Sequence, residues 1–257
     1  MPSQPVPESS SGPPSYAEAP AHGPTPDDVI PPTILVLAGQ TIHAESASSI
    51  PLYHLDRGIT SLSRATTKVT FERVEHAVRT SVDNEPSLRD RRRHVFTLER
   101  SWTVYDKMPS TSPKFFARAV SRRVLGHVGL KKSRLRSAFT AYPVDTAGSV
   151  ENGGLAAFVK DAEPVFKLAK RNSRWEWNDR GDGAIAFEDE GDDTHRLIVT
   201  ASMPRVEVDA LVALWCCRLW EFSADSTDNE LHRMDAIRNK LQMGKEAGFG
   251  GLHGWIG

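Results

Sequence analysis

Cysteine is almost missing from this 257-residue chain: only Cys216 and Cys217 occur, side by side. Adjacent cysteines seldom bridge each other without strain, and no third cysteine is available, so a disulfide framework is excluded. A reducing compartment, cytosol or nucleus, is therefore expected. Cys-x-x-Cys pairs with suitably spaced histidines are also lacking, which speaks against zinc. There is no Gly-x-Ser-x-Gly elbow, no His-Glu-x-x-His and no Walker A loop, so the sequence templates for acyl transfer, zinc proteolysis and nucleotide hydrolysis all fail. Gly248, Gly250 and His253 imitate a dinucleotide fingerprint, but they follow a helical pattern and lack the third glycine. The expectation is a protein with no catalytic residue, no metal and no cofactor. Long apolar runs are scarce as well. None approaches the roughly 20 residues that a bilayer-spanning helix needs. Residues 1–32 have neither a basic start nor an apolar stretch, and so do not read as a secretory signal.

What is present is an ordinary soluble composition, 39% hydrophobic with a formal net charge of -1. Residues 1–32 are rich in Pro, Ser, Ala, Glu and Gly and almost free of large aliphatics, so they cannot offset their ordering entropy and are expected to be disordered. Folded sequence is expected from Ile34-Leu35-Val36-Leu37 onward. From there to about Ser202 the pattern is that of short strands: Ile59–Ser63, Val69–Val74, His94–Leu98, Lys114–Val120, Val124–Val128, Leu135–Ala141, Ala156–Lys160, Val165–Ala169 and His195–Thr200. Trp175 and Trp177 alternate with polar residues before a turn-forming run, Asn178–Gly183, and Ala184–Glu188 completes a hairpin. Residues 81–93 and 144–154 read as loops. Many short strands at regular spacing argue for an antiparallel sandwich or barrel.

After the strands comes an unbroken apolar octet, Ala210-Leu211-Val212-Ala213-Leu214-Trp215-Cys216-Cys217. A helix that is apolar on every side must be buried on every side. It is expected to run from Pro204 to Phe222, enclosed by a curled sheet, with both thiols serving as inert core atoms. Thr227 and Glu230 have capping-box spacing and predict a second short helix over 228–243. Three regions follow from this reading: a tail over 1–32, a β domain with its helix over 33–222, and a helix with a Gly-rich tail over 223–257.

The run Arg196 to Trp220, with Asp209, Ala210, Leu211, Leu214 and Trp215 at its centre, resembles the end of the tubby C-terminal-like superfamily, specifically its LURP-one-related branch. The stretches PLYHLDRGITSLS and VSRRVLGHVGLKKS are similar to those of a filamentous-fungal group. The resemblance covers residues 33–222. It implies a closed twelve-stranded barrel threaded by the hydrophobic helix, and a binding role. Tubby relatives hold phosphoinositides through Lys and Arg on barrel strands, scramblase relatives act at membranes, and plant relatives are linked to defence.

Between Asp106 and Asp145 no acidic residue occurs, while Lys107, Lys114, Arg118, Arg122, Arg123, Lys131, Lys132, Arg134 and Arg136 do. If Gly126–Gly129 is a turn between paired strands, Arg122-Arg123 and Lys131-Lys132 become neighbours and form an anion-attracting patch. The expected head-group ligands are Arg118, Arg122, Arg123, Lys131, Lys132, Arg134 and Arg136, binding an anionic membrane lipid. The acidic counterpart is Glu188, Asp189, Glu190, Asp192 and Asp193. A calcium loop starting at Asn178 fails because Arg180 stands where a ligand is needed. These acids read as a solvated hairpin or as partners of the basic stretch. Pro13-Pro14-Ser15-Tyr16 matches the Pro-Pro-x-Tyr peptides that WW domains bind. Pro13, Pro14 and Tyr16 would recruit such a partner, and this adaptor role is the alternative function. An accessory role in fungal secondary metabolism or virulence is a further alternative. Nucleic acid is not expected, because the basic span lacks interleaved aromatics. The compartment expected is the cytoplasm, at a membrane periphery or in the nucleus.

Overall fold

The computed structural model describes residues 29–48, 50–80, 86–101, 108–133, 137–147, 155–191 and 194–248, with backbone only at 77–80, 86–89, 190 and 227–248. The strands are β1 (Val29–Ile30), β2 (Thr33–Ala38), β3 (Thr41–Ala44), β4 (Pro51–Leu55), β5 (Lys68–Thr80), β6 (Pro86–Arg100), β7 (Phe115–Ala119) and β8 (Val128–Lys132). They continue with β9 (Ala138–Asp145), β10 (Ala157–Phe158), β11 (Phe166–Arg171), β12 (Arg174–Asn178), β13 (Ala184–Glu190), β14 (His195–Val199) and β15 (Met203–Pro204), and end in the helix α1 (Arg205–Gly248).

Twelve antiparallel strands close into a barrel in the order β9-β11-β12-β13-β14-β2-β3-β4-β5-β6-β7-β8, and β8 pairs with β9 to complete the ring. β10 adds to the outside edge of β9, and β1 pairs with β15 where the chain turns into the helix. Alternate residues of each strand point inward, among them Leu35 and Leu37, Phe96 and Leu98, and Phe166 and Leu168. The space they enclose is filled by α1, whose residues Ala210 to Leu214 have no exposed surface at all. Burial on every side of one helix is the physical requirement that a closed sheet meets. No described helix is long and apolar enough to cross a membrane.

Several expectations are corrected. Helix 204–222 and the second helix over 228–243 are one continuous helix. No Gly or Pro interrupts residues 222–230, and Ser226, one residue before the expected cap, turns its hydroxyl back to the Phe222 carbonyl at 3.0 Å as a mid-helix serine does. Pro204 belongs to β15, and the helix starts one residue later. Val29 and Ile30, assigned to the tail, pair with Pro204 and Met203. Residues 59–61 form a 3-10 turn in place of a strand, and 124–127 are loop leading into β8. Most of the expected loop 81–93 is the first half of β6. There β5 and β6 pair beyond their neighbours, so polar residues on both faces hide the strand period.

Candidate functional site

Two buried ion pairs fix the helix inside the barrel. Asp209, on the first turns of α1, accepts a hydrogen bond from Tyr53 of β4 at 2.8 Å and one from Arg73 of β5 at 2.7 Å. Burial pushes the Asp209 carboxyl up, and the Arg73 guanidinium and the Tyr53 hydroxyl pull it back only in part. Burial alone would lower Arg73, but attraction by Asp209 and Glu75 outweighs it and the pKa rises. The second pair joins Arg218 to Glu188 of β13, with Trp177 of β12 donating its indole N–H to the same carboxylate at 2.8 Å. Burial lowers Arg218 to about 10, which leaves it charged at neutral pH. The two anchors are nine residues apart on the helix, about two and a half turns, and so face opposite walls. The strand order places β4 and β5 nearly across the ring from β12 and β13. Both cysteines lie between the anchors, and burial raises both thiols, which keeps them protonated.

The arrangement differs at the end of the barrel where the helix leaves. A cleft of ≈ 820 Å³ opens there, bounded by the segment 108–114, the ends of β8 and β9, Phe158 and the helix. Successive strand residues point to opposite faces. Lys131 lies outside, 5.8 Å from the Tyr142 ring and 5.7 Å from that of Phe158. Lys132 sits over the Phe139 ring at 5.8 Å and acts on Glu221 of the helix. Because the cleft wraps the barrel lip, it receives both lysines. Neither ammonium has a carboxylate within ion-pair distance among the described residues, whereas Lys114 reaches Asp225 at 3.1 Å and Glu221 at 3.5 Å. Asp225 also accepts from Arg64 at 2.9 Å. Burial would raise Asp225, but the Arg64 and Lys114 bonds outweigh it and hold the carboxyl below its usual range. Glu221 is raised by burial, and Lys114 and Lys132 only partly reverse this.

Ser110, Ser112, Ser133, Thr140 and Tyr142 add hydroxyls to the cleft wall. Ser112 is buried, and its Oγ has no hydrogen-bond partner among the described residues. Such an orphaned hydroxyl costs about 1–3 kcal/mol unless something fills the valence. Gly129 sets the shape of this wall. A Cβ there would lie 2.8 Å from Pro113 Cβ and 2.9 Å from Val144 Cγ2, so only glycine allows segment 108–114 to lie against β8.

The expected patch is only partly assembled. Arg122 and Arg123 stand exposed in the turn after β7, at the opposite end of β8 from Lys131 and Lys132, about 13 Å along the strand. The turn spans 120–127 and the strand begins only at Val128, so the two basic pairs are not cross-strand neighbours. Arg118 is occupied by Glu99 of β6, at 2.8 and 3.1 Å. Arg134 and Arg136 lie outside the described residues, as do Lys107 and the Pro13, Pro14 and Tyr16 motif. Lys114, Glu221, Asp225 and Ser112 were missed because sequence gives no sign that 108–114 folds over the barrel end. Of the acidic run, Glu188 is buried with Arg218, and Asp189 lies 3.8 Å from Arg196. Among the described residues neither meets the basic stretch. No group of three or more His, Cys, Asp or Glu that could hold a metal occurs among the described residues. The fold and site together define a closed β-barrel with an internal helix and a cationic cleft at one mouth. The chain matches no family model, no curated protein and no solved structure.

Proposed function

We propose that this is a non-catalytic binding or tethering protein that recognises anionic phospholipid head groups, phosphoinositides being the class expected, at the cleft where α1 leaves the barrel. One observation carries the reading. Lys131 and Lys132 share a hydroxyl-lined cleft yet have no carboxylate partner among the described residues, while the two acids beside them are matched by Lys114 and Arg64. Ammonium groups that rest on aromatic faces and have no carboxylate within ion-pair distance among the described residues, with serine and threonine hydroxyls around them, suit phosphate oxygens. The ligand set is accordingly narrowed to Lys131 and Lys132, supported by Lys114 and Ser112. Each lysine near an anionic surface contributes on the order of 1 kcal/mol. A cytoplasmic protein acting at a membrane surface goes with this reading. The resemblance to tubby-like barrels noted in the sequence points to the same ligand class.

The test is sedimentation of the full chain with phosphoinositide vesicles at low and physiological salt. Binding that weakens with salt and is lost in the Lys131→Glu/Lys132→Glu double variant supports the reading. Binding unaffected by that variant contradicts it. A Tyr16→Ala variant that keeps vesicle binding while losing capture by a WW domain would establish the Pro13–Tyr16 adaptor role as a separate activity.

A further inference from the structure

Next to the cationic cleft lies a second cavity of ≈ 290 Å³. Its apolar walls are Phe139, Trp175 and Phe222. Phe139 and Trp175 pack together with ring centroids 5.7 Å apart, and the Arg218 guanidinium covers the Trp175 ring at 5.2 Å. Phe222 is on the helix where it leaves the barrel and is 61% exposed, the most solvent-exposed large hydrophobic side chain among the described residues. The two cavities are continuous in their lining: Lys132, Glu221 and Asp225 border both. A phosphate held by Lys131 and Lys132 is therefore one side chain away from an aromatic-walled hollow.

We infer that the ligand of this site is an anionic amphiphile, whose phosphate lies between Lys131 and Lys132 while a single acyl chain passes Lys132 into the hollow formed by Phe139, Trp175 and Phe222. The inference rests on the head-group reading above and adds the chain. Charge complementarity selects the end that enters the polar cleft. The other end meets the faces of Phe139, Trp175 and Phe222, with Ser137 and Ser226 also bordering the hollow. Seating the chain covers the exposed Phe222 ring at the rim.

The experiment is titration calorimetry of the full chain with glycerol 3-phosphate and with lysophosphatidic acids of six, eight and ten acyl carbons, all below micelle formation. Affinity should rise about fourfold per methylene until the hollow is filled. Phe222→Gln, a change at a solvent-exposed position, should flatten that series and leave glycerol 3-phosphate affinity unchanged. Lys131→Gln/Lys132→Gln should weaken every ligand. Affinity independent of chain length overturns the acyl pocket while the head-group reading stands, and so does a chain-length series unchanged by Phe222→Gln. If no ligand binds, or if the double lysine variant binds them all as the wild type does, the head-group reading itself fails.

Discussion

The two ends of the buried helix carry the same kinds of charged residue and use them in opposite ways. At the N-terminal end, Asp209 has no exposed surface, and both of its oxygens are met, by Tyr53 and Arg73. At the C-terminal end the charges line an open cleft where, among the described residues, cations exceed their carboxylate partners and a buried hydroxyl is unsatisfied. The closed cluster leaves Arg73 Nε without a hydrogen-bond partner among the described residues, but it is sealed from solvent, so it holds structure together and offers a ligand no way in. An open, under-paired one has valence to offer. The comparison separates a fastening from a site without appeal to residue type.

The largest expected effect breaks the fastened end. Asp209→Ala strips buried Tyr53 of its acceptor and leaves Arg73 only Glu75, at 2.7 Å, and loss of one partner of a buried pair costs about 3–5 kcal/mol. Chemical denaturation should show this loss. A change below about 1 kcal/mol would mean that the cluster is solvated and not an anchor. At the open end, Gly129→Ala forces a methyl group against Pro113 and Val144, with an expected cost of about 1–3 kcal/mol. It should also weaken vesicle binding, since it displaces the wall bearing Ser110 and Ser112. The Lys131→Glu/Lys132→Glu double variant inverts the comparison: stability should stay within about 0.5 kcal/mol of wild type, while anion binding falls at least tenfold.

The smallest effects are those of pH. Glu221 is raised above 4.5, so the folded chain holds this proton more tightly than the unfolded chain does. Its contribution to stability is present below that value and is lost as pH rises through the folded pKa. Protonating Glu221 also removes a negative charge facing Lys114, Lys132 and Asp225. Anion binding should therefore tighten as pH falls through the same window, and Glu221→Gln should abolish that dependence. Asp225, lowered from 3.8, works in a separate window and in the opposite sense: its contribution is lost as pH falls below that value. His127, lowered from 6.5 by burial and then by Arg118, accepts the Ala119 N–H at 2.9 Å through Nδ1. Its contribution should be complete above pH 6.5 and decline as pH falls below it, which His127→Asn should diminish.

The barrel was legible in the sequence because strand alternation and an all-apolar octet leave few packing solutions. Ala210–Cys217 demanded enclosure, and Trp175–Glu188 announced its hairpin. Elements whose two faces see similar surroundings were not legible. The outer half of β5–β6 pairs beyond its neighbouring strands and carries polar residues at both alternating positions, and one helix runs unbroken from the apolar octet through the polar run 223–230. The site was half legible. Nine cations without an acid mark the right region, but a linear charge count cannot tell Arg118, paired across strands with Glu99, from Lys131, which meets no carboxylate among the described residues. Nor can it foresee that Lys114 meets Glu221 and Asp225, more than a hundred residues further along the chain, at one lip.

The central claim is that the under-paired lysines at the helix exit bind phosphate-bearing lipid. Its most direct test is co-sedimentation of wild type and the Lys131→Glu/Lys132→Glu variant with phosphoinositide vesicles, at low and at physiological salt. The account predicts salt-sensitive binding by the wild type, lost in a variant whose unfolding transition is unchanged. Equal binding by the two proteins, or none by the wild type at low salt, would contradict it.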